Sequence, residues 1–266
     1  MQRYHEFTVK PASRLTQGMH EALKIGLQNV YSSQDISSNT WCIGGTLSQD
    51  PPLLLIHLIQ NHEPLEVDWK KQSSLFSPFF KEGKIHVPLK DFADVTTAFI
   101  LEPGAGFGDL SHPTTRLCLQ ELYKNVYNRY VLDIGCGNGV LSIASACLGA
   151  VHVHGIDIDP EAIIHAKINK ELNNKNNLTF SDAVEPALSQ DHKWVGLMNM
   201  TRIEQETAWS TLKDYDRQID TLVTSGILLE QHTKYLEWAA ENKWDIISVK
   251  EEEGWLGFVM ERKQDL

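Results

Sequence analysis

Asp133-Ile134-Gly135-Cys136-Gly137-Asn138-Gly139 follows a short apolar run, Tyr130 to Ile134. After it, Val140, Ile143, Ala144, Cys147 and Leu148 fall at i, i+3, i+4, i+7 and i+8, the spacing of a buried helix. The stretch therefore reads as strand, tight turn, helix. Glycines in such a turn allow positive φ and close approach of a ligand, and the helix start offers unpaired N–H donors. A second strand, Val151 to Ile156, runs into Asp157. Asp159, Pro160 and Glu161 then supply an N-cap, a first-turn proline and an acid favourable to the helix dipole, starting a helix that extends to about Leu172. Asp157 lies 22 positions after Gly135 at a strand end, where an acid can accept hydrogen bonds from ribose hydroxyls. An adenosine-containing ligand is expected.

A dinucleotide would call for G-x-G-x-x-G, but Val140 and Ser142 occupy the places of the third glycine in the two registers. Asp133 adds a carboxylate that would repel phosphate yet could accept from an ammonium or oppose a sulfonium charge. This favours S-adenosylmethionine. The plainer alternative is that the glycines only make a strand–helix turn and the acids only cap helices.

Outward from the loop, Leu178 to Phe180, Trp194 to Met198 and Ile219 to Thr224 are further strands, separated by lengths suited to crossover helices. Repeated strand–helix alternation predicts an α/β, doubly wound parallel sheet. Trp244 to Val249 and Trp255 to Met260 are joined by only a few residues, which forces a terminal antiparallel hairpin. Glu251 to Glu253 read as its solvated turn.

The first residues differ in character. Tyr4 to Val9, Trp41 to Thr46 and Leu53 to Ile59 are strand candidates, and Leu15, Met19, Ala22, Leu23, Gly26, Leu27 and Val30 fall on a helical stripe, giving a small α+β unit. Ser73 to Asp91, with Pro78, Gly83 and Pro88 among mixed charges, reads as linker. The expected division is 1–65 small α+β domain, 66–95 linker and 96–266 sheet domain.

The chain has 266 residues, 42% hydrophobic and 22% charged, which suits a globular protein and excludes disordered or low-complexity classes. Its net charge of −11 disfavours direct nucleic-acid binding. The longest apolar stretch, Leu53 to Ile59, is far too short to span a membrane, and the early Arg3, His5 and Glu6 leave no signal-peptide core. Cys42, Cys118, Cys136 and Cys147 lack metal-ligand spacing, so no metal is expected and free thiols in the cytoplasm are the simplest reading.

The glycine loop, Gly155-Ile156-Asp157-Ile158-Asp159-Pro160 and the terminal hairpin resemble the class I S-adenosylmethionine-dependent methyltransferases. Upstream, Glu102-Pro103-Gly104-Ala105-Gly106-Phe107-Gly108-Asp109-Leu110-Ser111-His112-Pro113-Thr114-Thr115 is similar to the segment preceding the core in the PrmA family, which methylates protein eleven of the large ribosomal subunit. Asp68-Trp69, Phe79-Phe80-Lys81, Ile85-His86-Val87-Pro88 and Ser225-Gly226-Ile227-Leu228 resemble the same family, so the likeness runs from about Asp68 to Arg262. The fold it implies is a Rossmann-like class I methyltransferase sheet behind a small N-terminal domain. It implies that Phe107, His112 and Thr115 line the cofactor pocket, that Gly135 and Gly137 serve the methionine tail, Asp157 the ribose and Asp182 the adenine side. Asn199 falls where the methyl group meets the acceptor. The chain departs from the family pattern at Gly108-Asp109-Leu110, where Gly-Thr-Gly is usual, and at Met200-Thr201-Arg202, where small residues follow the asparagine.

His112 also fits a purely structural role, capping the helix that begins at Pro113. The implied function is S-adenosylmethionine-dependent methylation of amino groups, N-terminal or lysine, on a large-subunit ribosomal protein, with the first 65 residues recognising it. No dedicated general base stands out, and the Asn199 carbonyl is the group placed to orient an amine. Other readings are a class I methyltransferase for another protein or a small molecule and, given Asp109, Leu110 and Arg202, a cofactor-binding protein without turnover. Release-factor glutamine methylation is disfavoured because Asn199-Met200-Thr201-Arg202 stands where Asn-Pro-Pro-Tyr is expected, and a nicotinamide dehydrogenase by the missing third glycine.

Overall fold

The structure, a computed structural model, describes residues 3–9, 28–35, 40–47, 69–104, 106–184, 192–212 and 215–263. The chain divides into two compact units, Met1–Asp68 and Trp69–Leu266. In the first, β1 (Arg3–Val9), β2 (Gln28–Asp35) and β3 (Thr40–Leu47) form an antiparallel sheet in the order β1-β3-β2. β1 and β3 match the expected strands. Val30 does not lie on a helix: it sits in β2, which pairs antiparallel with β3 over Gln28 to Asp35. Leu15 to Leu27 and Leu53 to Ile59 lie outside the described residues.

The stretch expected as linker is structured from Trp69 on and belongs to the second unit. It contains α1 (Trp69–Phe76), β4 (Phe80–Lys81), β5 (Lys84–Pro88) and, further on, β6 (Ala98–Leu101), with β5 central in a three-stranded antiparallel sheet. Alternation along β5 turns Ile85 and Val87 into the core, where they join Leu89, Phe99 and Leu101. Glu82 and Gly83, both at positive φ, make the β4–β5 turn, so the punctuation that suggested a linker is a hairpin.

The main sheet has seven strands in the order β12-β13-β11-β10-β7-β8-β9. These are β7 (Tyr130–Ile134), β8 (His152–Ile156), β9 (Leu178–Ser181), β10 (Trp194–Asn199), β11 (Ile219–Leu228), β12 (Trp244–Glu252) and β13 (Trp255–Arg262). β7 to β11 run parallel, and β13 enters antiparallel between β11 and β12 as the expected terminal hairpin. One face is covered by α2 (Pro113–Val126), α3 (Val140–Cys147) and α4 (Pro160–Leu172), whose apolar residues pack with Val131, Val153 and Val195. The other carries α5 (Arg202–Thr211) and α6 (His232–Glu241), with Trp209, Tyr235 and Trp238 packed on Leu132, Met198 and Leu222. Strand order reverses between β7 and β10, so a crevice opens at the carboxyl ends of these two strands. The glycine loop and Asn199 both lie there.

Candidate functional site

β7 passes into α3 through three glycines at positive φ: Gly135 (70°), Gly137 (55°) and Gly139 (81°). A Cβ at Gly137 would approach the Phe107 carbonyl oxygen to 2.6 Å, so close packing as well as φ excludes a side chain there. The amides of Gly135 and Cys136 donate to the Ile156 carbonyl at 2.8 and 2.9 Å, and that of Gly137 donates to Asp157 Oδ2 at 2.9 Å. Asp157 Oδ1 accepts from the Asp159 amide, also at 2.9 Å. A carboxylate has about four acceptor positions, so each Asp157 oxygen retains capacity for a further donor, and two adjacent oxygens suit a vicinal diol. Ile158, next to it, is 96% exposed, an apolar surface beside Asp157.

Asp133 does not present itself to a ligand as the sequence suggested. It is 1% exposed, its Oδ2 accepting from the Ser142 hydroxyl at 2.6 Å beneath the loop. The start of α3 lies under that end of β7, so the carboxylate is enclosed by the helix. Burial, opposed in part by the Ser142 hydrogen bond, pushes its pKa up to about 7. Asp182, just beyond β9, is exposed, and the Asp157 amide donates to the Ser181 carbonyl at 3.3 Å, which keeps the two strand ends together.

The segment before α2 lies over the loop. The Asn138 amide donates to the Phe107 carbonyl at 3.0 Å, and a Cβ at Gly106 or Gly108 would strike Asn138. The Phe107 ring is 53% exposed and meets His112 edge-on at 5.8 Å, while His112 meets Trp255 at 4.8 Å. His112 does cap α2: its Nδ1 accepts from the Thr114 amide at 3.4 Å. Burial, with Arg116 adding to it, lowers its pKa, so the capping acceptor stays unprotonated. Thr115, fully buried, accepts from Asn199 Nδ2 at 3.1 Å. The other end of that carboxamide, Asn199 Oδ1, is buried and has no partner among the described residues. A buried acceptor left unmatched is costly, and here it sits at the crevice between β7 and β10.

Comparison with known proteins agrees with this geometry. The family profile described as Ribosomal protein L11 methyltransferase (PrmA) matches residues 56–263. The chain belongs to the ribosomal protein L11 methyltransferase family. Relatives bearing that description include one from Dechloromonas aromatica, 42% identical over 146 residues, covering 52% of this chain and 48% of that protein. Another, from Dictyoglomus thermophilum, is 33% identical over 199 residues, covering 73% and 66%. The chain thus spans about half to two thirds of the length of these curated relatives. A crystal structure titled ribosomal protein L11 methylase, from Lactobacillus delbrueckii subsp. bulgaricus, aligns with TM-score 0.51 at 27% identity over 62% of this chain and 84% of that one.

The two departures from the family pattern are each accommodated locally. Leu110 adopts φ 65°, the left-handed conformation natural to the usual glycine, and buries its side chain in the core. Asp109 turns its carboxylate to the Ser111 amide, 3.0 Å away, and its carbonyl accepts from the Ser77 hydroxyl at 2.6 Å. Thr201 caps α5 in a reciprocal box with Glu204, and Arg202 pairs with Glu206 one turn on. Met200 reaches over the loop, its Cε standing 2.4 Å from where a Gly135 Cβ would be.

Sequence reading missed two residues at the site. Arg116 ties the segment to the terminal hairpin, donating from Nη1 to the Leu110 and Ser111 carbonyls, both at 3.0 Å, and pairing with Glu252 (2.6 Å) and Glu253 (2.8 Å). The Glu251 to Glu253 cluster is therefore more than a solvated turn; nothing local in the sequence links Arg116 to residues 136 positions away. Ile158 did carry a signal, an aliphatic residue between two acids in a connecting loop. Among the described residues no cluster of metal ligands is present, and no helix is long and apolar enough to cross a membrane. Cys118, Cys136 and Cys147 are free thiols.

Proposed function

We propose that this chain is an S-adenosylmethionine-dependent N-methyltransferase acting on amino groups, N-terminal or lysine, of ribosomal protein L11. The observation that carries the reading is the pairing, across the β7–β10 crevice, of a ribose-competent Asp157 with an Asn199 carbonyl that lacks a donor. The residues suit the cofactor: Asp157 would hold the ribose diol, Ile158 and Asp182 the adenine side, Gly135 and Gly137 the methionine tail, with Phe107, His112 and Thr115 above. Bound there, S-adenosylmethionine would supply an electrophilic methyl group for in-line displacement.

The chain's own contribution is positioning and exclusion of water. Thr115 accepts from the Asn199 amide nitrogen and so directs the carbonyl end toward the acceptor. That carbonyl accepts one N–H of the incoming amine and orients its lone pair. An α-amino group, with a reference pKa of about 7.7–8.0, needs little help to lose its proton, whereas a lysine at about 10.4 depends on desolvation in the crevice. An acidic chain of net charge −11 complements a basic ribosomal protein and disfavours direct contact with nucleic acid. Residues 1–65 serve in recognition of that protein, and the site of action is the cytoplasm. Calorimetry tests the cofactor half of the reading: binding of S-adenosylmethionine or its demethylated product, without comparable binding of NAD, is expected, and tight NAD binding would refute it.

A further inference from the structure

α4 carries His165 and Asn169, and Asn173 caps its end, each one turn apart, and all three point side-chain donors and acceptors at the same extended segment. Asn173 accepts from the Ile100 amide at 2.9 Å and donates to the Ile100 carbonyl at 2.6 Å. Asn169 accepts from the Glu102 amide at 2.7 Å and donates to the Asn138 carbonyl at 2.9 Å, inside the glycine loop. His165 accepts from the Gly106 amide through Nδ1 at 3.1 Å, so its proton lies on Nε2, which donates to the Glu102 carbonyl at 2.6 Å. Helix side chains thus take the part that a neighbouring strand would play, continuing the ladder of β6 beyond Leu101. The amides and carbonyls of Ile100 and Glu102 and the amide of Gly106 are matched in this way.

Resting on the function proposed above, we propose that His165 is a positioning residue for cofactor binding, pinning Glu102 and Gly106 so that Phe107 is held over the glycine loop. The chain of contacts is continuous. His165 fixes the Gly106 amide; the next residue's carbonyl accepts from the Asn138 amide and stands 2.6 Å from where a Gly137 Cβ would be. Gly104 completes the fit, because a Cβ there would come within 2.6–2.8 Å of three atoms of the imidazole. The ring must be neutral to accept from Gly106. Burial favours that state and lowers its pKa, against the opposing pull of the Glu102 carbonyl.

The test compares His165→Leu with His165→Gln in the full chain. A glutamine carboxamide offers one acceptor and one donor, as the neutral imidazole does, whereas leucine fills space with neither. Cofactor KM, kcat at saturating cofactor and the Kd of the demethylated product are read together with thermal stability. The expected result is a rise of about tenfold in KM and Kd for the leucine variant with kcat nearly kept, and recovery of most of that loss by glutamine. Asn173→Leu, which frees Ile100 at the far end of the ladder, should lower stability while leaving cofactor Kd within about twofold. Hydrogen exchange on the wild-type protein supplies a reading independent of any variant: the Gly106 amide should exchange slowly, as a matched, half-buried donor. Unchanged Kd in a folded His165→Leu protein, glutamine no better than leucine, or rapid exchange at Gly106 would each overturn the positioning role. A wild-type chain that fails to bind cofactor at all would instead overturn the functional reading beneath it.

Discussion

Asp157, Asn199 and Asp133 are three polar residues at strand ends, and the structure gives each a different task. Asp157 bonds to the loop and keeps acceptor capacity for a diol, so Asp157→Ala should weaken cofactor binding by about 1–3 kcal/mol in calorimetry while the protein stays folded. Asn199→Ala should leave cofactor affinity nearly unchanged and lower the methyl-transfer rate by roughly 10²-fold, the scale of a misplaced reactant. Asp133 is the opposite case: burial pushes its pKa up to about 7 in the folded chain, well above the ordinary carboxylate value of about 3.9. The unfolded chain therefore releases this proton first, and the site's contribution to stability falls as pH rises from about 4 to 7, by up to ~1.4 kcal/mol per pH unit. Asp133→Asn should remove that slope, so urea unfolding at pH 5 and 7.5 should show the variant gaining on the wild type as pH rises. Asp157 was legible because a strand end and a glycine loop bracket it in sequence. The enclosure of Asp133 was not, because it depends on Ser142 coming back under the strand nine positions later.

Among the elements, β7 and β8 with α3 and α4 after them were legible because a short apolar run leads into a helical stripe or a capped helix start, whereas α5 and α6 were expected only as crossover lengths. The β4–β5–β6 layer was not legible: its strands are short, and Gly83 and Pro88 looked like linker punctuation although they turn and terminate a hairpin whose inward residues are fully buried. Val87→Ala should accordingly cost about 1–3 kcal/mol in chemical denaturation, against about zero for a residue in a true linker. Leu110 combines two opposed effects in one turn. Replacing it by glycine relieves a left-handed backbone worth about 1 kcal/mol but empties a buried leucine site worth about 2–5 kcal/mol, so a net loss of stability is expected in thermal unfolding. The segment before α2 was recognised by its resemblance alone. What holds it, Arg116 across the hairpin and the polar ladder of α4, joins residues far apart in sequence.

At the scale of the molecule, the boundary lies at Asp68–Trp69, which places the β4–β5–β6 layer with the sheet unit. A chain beginning at Trp69 should retain cofactor binding and lose methylation of the protein substrate, whereas one beginning at residue 96 strips β4 and β5 from β6 and should be strongly destabilised. Undiminished protein methylation by the chain beginning at Trp69 would remove recognition from the N-terminal unit. The central claim is methyl transfer to an amino group of ribosomal protein L11, and it is tested most directly by incubating the full chain with methyl-labelled S-adenosylmethionine and unmethylated L11, then locating the label by mass spectrometry. The account predicts label on α- or ε-amino nitrogen of L11, lost in large part with Asn199→Ala. Cofactor binding without any label on L11 would contradict it.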